Sequence, residues 1–138
     1  MKIVVDSNRI IASMLKDSIT RQILFNKKFR FIAPSYVLSE IKKYKDYVSK
    51  KANIKNEEFD ILLSLVFENI NIIELSEYGS FIKDLKNEIS DIKDIPYLAV
   101  ADFTKAKGIW THDLHFKEQN RIKVFTNADM IELVNKSD

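Results

Sequence analysis

The chain contains no cysteine, which excludes a disulfide framework, thiolate zinc sites and cysteine nucleophiles and fits an intracellular setting. Only two glycines and two prolines occur, and no linker, repeat or low-complexity stretch interrupts the sequence. A long apolar run is also missing: nothing approaches the ~20 residues of a membrane span. The start offers one lysine and three apolar residues before Asp6, too few for the core of a signal peptide. The expectation is a cytoplasmic protein with no membrane partner. An excess of charge of one sign is absent too, because 22 basic residues stand against 20 acidic ones. Any nucleic-acid footprint must therefore come from local sorting of charge rather than from the total.

What is present is enough for one domain. At 138 residues the chain can bury roughly 70% of its unfolded surface without a disulfide or zinc staple, so residues 1–138 read as a single domain. The apolar pattern switches between short runs and helical periods, which is the signature of the α/β class. Strands are expected at Lys2–Val5, Phe29–Ala33, Asn71–Leu75, Ile109–Thr111 and Val124–Phe125. Between the first two, Ile10 to Leu15 and Ile19 to Leu24 suggest two short helices. Pro34 suits a helix start, and a long helix is expected from there to about Ala52. Phe59, Leu62, Leu63, Val66, Phe67 and Ile70 mark an amphipathic helix over about 55–70. Ser76 is read as the cap of a helix to about Ile89. Asp94 opens a helix to Lys107 that Gly108 would end, and a last helix follows from Asn127. Strands separated by helices imply parallel pairing with right-handed crossovers. In such sheets ligands bind beyond the carboxyl ends of the strands.

Four acids gather the interest. Asp6 and Asp113 each follow an apolar strand, so a parallel sheet puts both at one edge. Asp94 opens a helix that can start at that edge. Glu40 lies within a helix beside Tyr36, Val37 and Tyr44, bordering its apolar side. A carboxylate beside buried apolar chain is costly unless a cation or hydrogen bonds receive it. Clustered carboxylates suit Mg²⁺ or Mn²⁺, which keep several waters and can activate one for attack on a phosphate. Taken singly, each residue also has a plain structural reading: Asp6 and Asp94 as helix caps, Glu40 as a solvated helix residue and Asp113 as a turn residue.

Together, Ile3–Asn8 (IVVDSN), Pro34–Ile41 (PSYVLSEI), Asp91–Ala101 (DIKDIPYLAVA) and Gly108–Phe116 (GIWTHDLHF) resemble, in order and over most of the chain, the PIN-domain family of VapC-like metal-dependent ribonucleases. The resemblance implies a three-layer α/β/α sandwich around a central parallel sheet of about five strands. It implies that Asp6, Glu40, Asp94 and Asp113 occupy the four acidic, catalytic and metal-holding positions for Mg²⁺ or Mn²⁺, with Thr111 and the polar groups of Ser7 or Asn8 in support. Asp91 is a further acidic candidate whose role it leaves open. Ala99 and Ala101 agree with the small residues of the family, whereas Arg9 stands at a position often apolar in relatives.

The activity implied is hydrolysis of RNA phosphodiester bonds, by a toxin with an antitoxin partner or by an RNA-processing nuclease. A noncatalytic RNA- or partner-binding module of the same fold is the first rival. The second is an aspartate-based phosphotransfer protein, against which Val4 to Asn8 lacks both paired acids and a second aspartate two positions on. His112 and His115 bracket Asp113, but two histidines without cysteine argue against structural zinc. Lys42, Lys43, Lys45, Lys50 and Lys51, with Lys27, Lys28 and Arg30, form either a solvated basic face or an RNA contact. Tyr44 and Tyr47 interleave with them, Tyr44 being expected to pack inward. Ile61, Leu65 and Phe67 widen the 55–70 helix beyond one apolar face, which raises the expectation of a homodimer.

Overall fold

The computed structural model describes residues 1–15 and 18–136. Lys2–Val5 (β1), Arg30–Pro34 (β2), Ile70–Ile73 (β3), Gly108–Trp110 (β4) and Val124–Phe125 (β5) form one sheet in the order β3-β2-β1-β4-β5. Every pairing is parallel. The central strands are continuous apolar runs because both of their faces are covered: Ile3, Val4, Val5, Ile109 and Trp110 are fully buried.

Among the described residues, eight α-helices connect and flank the strands: Ser7–Met14 (α1), Ser18–Leu24 (α2), Tyr36–Lys43 (α3), Lys45–Ala52 (α4), Asn56–Phe67 (α5), Leu75–Tyr78 (α6), Ile95–Thr104 (α7) and Asn127–Asn135 (α8). From β1 the chain steps to β2 and β3 in one direction, then returns across the sheet to β4 and β5. Right-handed crossovers then place α1 to α5 on one face and α6 and α7 on the other. The packing agrees, since α1 touches α3, α4 and α5 while α7 lies with α6 against β1, β2 and β4, and α8 joins α2. The connections leaving β1 and β4 turn to opposite faces, which opens a crevice at the carboxyl ends of these neighbouring strands.

Several local expectations are corrected. The long helix to Ala52 is two helices, broken at Tyr44, whose φ of −99° and ψ of 5° leave the helical region. Tyr44 does not pack inward; it is 48% exposed and meets Tyr47 edge to face at 6.5 Å. Pro34 ends β2 rather than opening a helix. The helix to Ile89 is only α6, followed by 3₁₀ turns at Gly79–Phe81 and Lys83–Leu85. Its cap is Glu74 rather than Ser76, with Glu77 accepting from the Glu74 N–H at 3.2 Å. Gly108 does not end α7. Lys105 does so in the left-handed region at φ 55°, and Gly108 belongs to β4, where an added Cβ would meet Phe125 Cε2 at 2.4 Å and the Lys123 carbonyl at 2.8 Å.

Candidate metal centre

The register of the sheet creates the first half of the site. Val5 pairs with Trp110 and the Asp6 N–H continues the ladder to the Trp110 carbonyl at 3.1 Å, so Asp6 and Thr111 emerge side by side from neighbouring strands. Thr111 Oγ1 donates to Asp6 Oδ2 at 2.7 Å, Asn8 Nδ2 donates to the same oxygen at 3.0 Å, and Ser7 Oγ approaches Oδ1 at 3.4 Å. Asn8 Nδ2 also reaches Thr111 Oγ1 at 3.2 Å. The threonine oxygen accepts in turn from the Asp113 N–H at 2.9 Å, which ties the loop after β4 to the loop after β1. Ser7, Asn8 and Thr111 thus form one polar cradle around Asp6.

The opposite face supplies Asp94, and α3, on the face of α1, supplies Glu40. Asp91 caps the 3₁₀ turn Ile92–Asp94 by accepting from the Lys93 N–H at 3.0 Å, and that turn delivers Asp94 to the start of α7. Asp94 stands at the N-cap position yet makes no side-chain cap bond. It is buried, and its Oδ2 has no hydrogen-bond partner. The cap reading of its side chain is therefore not what the geometry supports. From α3, the half-buried Glu40 carboxylate accepts a hydrogen bond from the buried Tyr97 hydroxyl of α7. Tyr97 was not anticipated. Its place one helical turn after Asp94 was the available signal.

The electrostatics show that these groups feel one another. Burial lifts the Asp94 carboxyl to about 8, and the charges of Asp113, Asp6, Asp91 and Glu40 add to the effect. Burial lifts Asp6 to about 6 against the Thr111 hydrogen bond, with Glu40 and Asp113 contributing. Glu40 is raised by burial as well, opposed by the Tyr97 hydroxyl and by Lys43 and Lys93. The Tyr97 hydroxyl is pushed well above its usual value by burial and by the charges of Asp6 and Glu40. Asp6, Glu40, Asp94 and Asp113 are thus brought into one electrostatic neighbourhood. Among the described residues, a closer grouping of ligand atoms is Asp91, Asp94 and His115, all within 4.8 Å of one another. His115 Nδ1 lies 3.2 Å from Asp113 Oδ1, while His112 accepts from the Asn127 N–H at 3.2 Å and faces α8.

The donor set suits a hard divalent cation. All four acids offer oxygen, and an orphaned buried carboxylate oxygen is a group that a cation would satisfy. The expected basic face is partly spent inside the protein: Lys45 pairs with Asp60 at 2.9 Å, Lys51 donates to Tyr47 Oη at 3.1 Å, and Lys28 donates to the carbonyls of Val134 and Lys136. Lys27, Lys28 and Arg30 also precede or open β2, at the sheet edge opposite the acids. Arg9 is buried and its Nε donates to Asn8 Oδ1 at 3.0 Å, so this unexpected residue braces the cradle. Among the described residues no helix is long and apolar enough to cross a membrane.

Comparison with known proteins agrees with the architecture. A chain of the crystal structure of VapBC2 from Rickettsia felis, bound to a DNA fragment from their promoter, superposes with a TM-score of 0.67 at 18% identity, covering 91% of this chain and 98% of that one. No curated protein sequence matches significantly. The family model described as PIN domain matches residues 4–125. That match runs from within β1, through Asp6 and the loop after β4, to the end of β5, and the chain belongs to the PIN-domain family.

Proposed function

We propose that this protein is an endoribonuclease that hydrolyses RNA phosphodiester bonds with Mg²⁺ or Mn²⁺ held by Asp6, Glu40, Asp94 and Asp113. The observation that carries the reading is the buried, unpartnered Asp94 Oδ2, on a carboxylate that feels the charges of Asp113, Asp6, Asp91 and Glu40. A folded chain keeps such a group only against a cost of about 1–3 kcal/mol or more, which a cation offsets. When bound, Mg²⁺ or Mn²⁺ supplies Lewis-acid polarisation of a phosphate oxygen and a lowered pKa of bound water.

The chain's own groups do the positioning. Ser7, Asn8 and Thr111 fix the Asp6 carboxylate, so its oxygens lose little freedom when engaged. The Tyr97 hydroxyl fixes Glu40 across the crevice. Lys43 and Lys93, whose charges bear on Glu40, are the cations placed to meet an RNA backbone. The likeness of the fold to a chain of VapBC2 favours the toxin role, with an antitoxin protein as partner, over an RNA-processing factor. A second copy is a further partner, through the exposed Ile61 and Leu65 of α5.

The test is cleavage of single-stranded RNA by the purified protein. Cutting is expected with Mg²⁺ or Mn²⁺, no cutting with chelator, and no cutting by a folded Asp6→Asn variant. Wild-type cleavage undiminished in chelator would overturn the metal mechanism. Tight RNA binding with no cleavage under any divalent ion would favour a noncatalytic module.

A further inference from the structure

We propose that Arg9 is a positioning residue that, acting through the amide of Asn8, sets the direction of the hydrogen bonds that Asn8 and Thr111 give to Asp6. Arg9 lies on the inner side of α1, 9% exposed, and its Nε donates to Asn8 Oδ1 at 3.0 Å. A guanidinium carries donors and no acceptor, so the Asn8 oxygen must face it. The amide hydrogens then point the other way, where Nδ2 donates to Asp6 Oδ2 at 3.0 Å and to Thr111 Oγ1 at 3.2 Å. Thr111 Oγ1 also accepts from the Asp113 N–H at 2.9 Å. Both of its lone pairs are thereby used, and its one hydrogen goes to Asp6 Oδ2 at 2.7 Å. A reversed amide would set N–H groups against the guanidinium and a carbonyl oxygen against a carboxylate. An apolar side chain at position 9 would remove the first of these repulsions and free the amide to turn.

The far end of Arg9 is held as well. Its Nη1 lies 3.4 Å from Thr20 Oγ1 of α2 and 3.5 Å from Asn127 Oδ1 of α8. Asn127 Nδ2 donates to Thr20 Oγ1 at 3.0 Å, and Asn127 Oδ1 accepts from Trp110 Nε1 at 2.9 Å. Trp110 precedes Thr111, so the asparagine that anchors Arg9 also steadies the strand that carries the other half of the cradle. An arginine is buried where its donors find partners, and here they tie α1, α2, α8 and β4 into one network that ends at Asp6. The consequence for a cation rests on the four-acid reading: the carboxylate is held in one orientation before an ion arrives. The positive charge of Arg9 works in the other sense, so positioning and charge have opposite effects on affinity and can be separated.

The experiment is a double-mutant cycle on the full-length protein with Arg9→Met and Asn8→Ala, read in two ways. In metal-free protein, NMR reports how fast the Asn8 side-chain amide protons exchange with solvent, and Arg9→Met should speed that exchange. With Mn²⁺ added, electron paramagnetic resonance of the free ion reports affinity. Asn8→Ala should weaken it about tenfold, the low end for loss of a ligand's outer partner, and Arg9→Met about threefold or more, within the coupling seen between residues of one network. In the Asn8→Ala background, Arg9→Met should weaken it no further. A further weakening of the same size overturns the relay, since Arg9 then acts on the fold in general. Unchanged amide exchange in Arg9→Met overturns it too. Asn8→Ala is the milder change, at a half-buried side chain, and its binding Mn²⁺ at wild-type strength would overturn the relay without Arg9→Met. Wild type that binds no Mn²⁺ overturns the four-acid reading instead, and the exchange rates still decide for Arg9.

Discussion

A carboxyl whose folded pKa stands above its ordinary value favours the protonated form on folding, and Asp94, Asp6 and Glu40 are all raised. Asp94 is raised to about 8 and Asp6 to about 6, from 3.8. Between pH 4 and 8 the folded state therefore holds more protons than the unfolded one, and stability falls as pH rises through that window. Thermal melts in chelator should show a higher midpoint at pH 5 than at pH 8. Saturating Mn²⁺ should reverse much of the loss at pH 8, contributing about 2.7 kcal/mol at a hundredfold excess over Kd, or several degrees for a domain of this size. Asp94→Asn should raise the chelator midpoint at pH 8 and shrink the Mn²⁺ increment. Unchanged values of both would mean that Asp94 holds no cation and feels no repulsion from its neighbours. Thr111→Val removes the donor to Asp6 and the acceptor for the Asp113 N–H. It should cost about 1–3 kcal/mol in urea unfolding at pH 7, and a change within error would mean that Asp6 finds another donor. The four acids were legible because each sits at a strand end or a helix start, or borders an apolar stripe. Tyr97 and the grouping of Asp91 with His115 were not, because they arise from contacts across the crevice between segments far apart in sequence.

Among the elements, the pattern of apolar runs located the strands well, because a doubly covered strand must be apolar throughout. It failed where through-space packing decides. Gly108 looked like a helix stop, and its actual role is to let β4 approach Phe125 and the Lys123 carbonyl. Gly108→Ala should destabilise the protein by about 1–3 kcal/mol through overpacking, measured by urea unfolding. It should also reduce the Mn²⁺ stabilisation, because β4 carries Thr111 and Asp113 into the site. Stability and increment both at wild-type values would show that Phe125 swings away freely. The segment after Tyr78 carries Leu85 and Ile89 into the core at spacings that a regular helix seemed to explain. Short 3₁₀ turns bury the same residues while turning the chain toward Asp91, and no local signal separates the two solutions.

For the whole molecule, a net charge of +2 conceals a sorted arrangement, with the acids at the carboxyl edge of the sheet and Lys27, Lys28 and Arg30 toward the amino edge. The wide apolar face of α5 is only partly as expected. Ile61 is 62% and Leu65 47% exposed, whereas Phe67 packs partly against the core. Light scattering at high micromolar concentration should report a dimer, and Ile61→Lys with Leu65→Lys should return it to a monomer; a wild-type monomer would remove the prediction. The central claim is the convergence of the four acids on a cation, and anomalous scattering from a crystal loaded with Mn²⁺ tests it most directly. The account predicts a peak within coordination distance of both Asp6 and Asp94, with Asp113 and Glu40 bound directly or through water. A loaded crystal with no peak among these carboxylates, or with density confined to Asp91, Asp94 and His115, would contradict it.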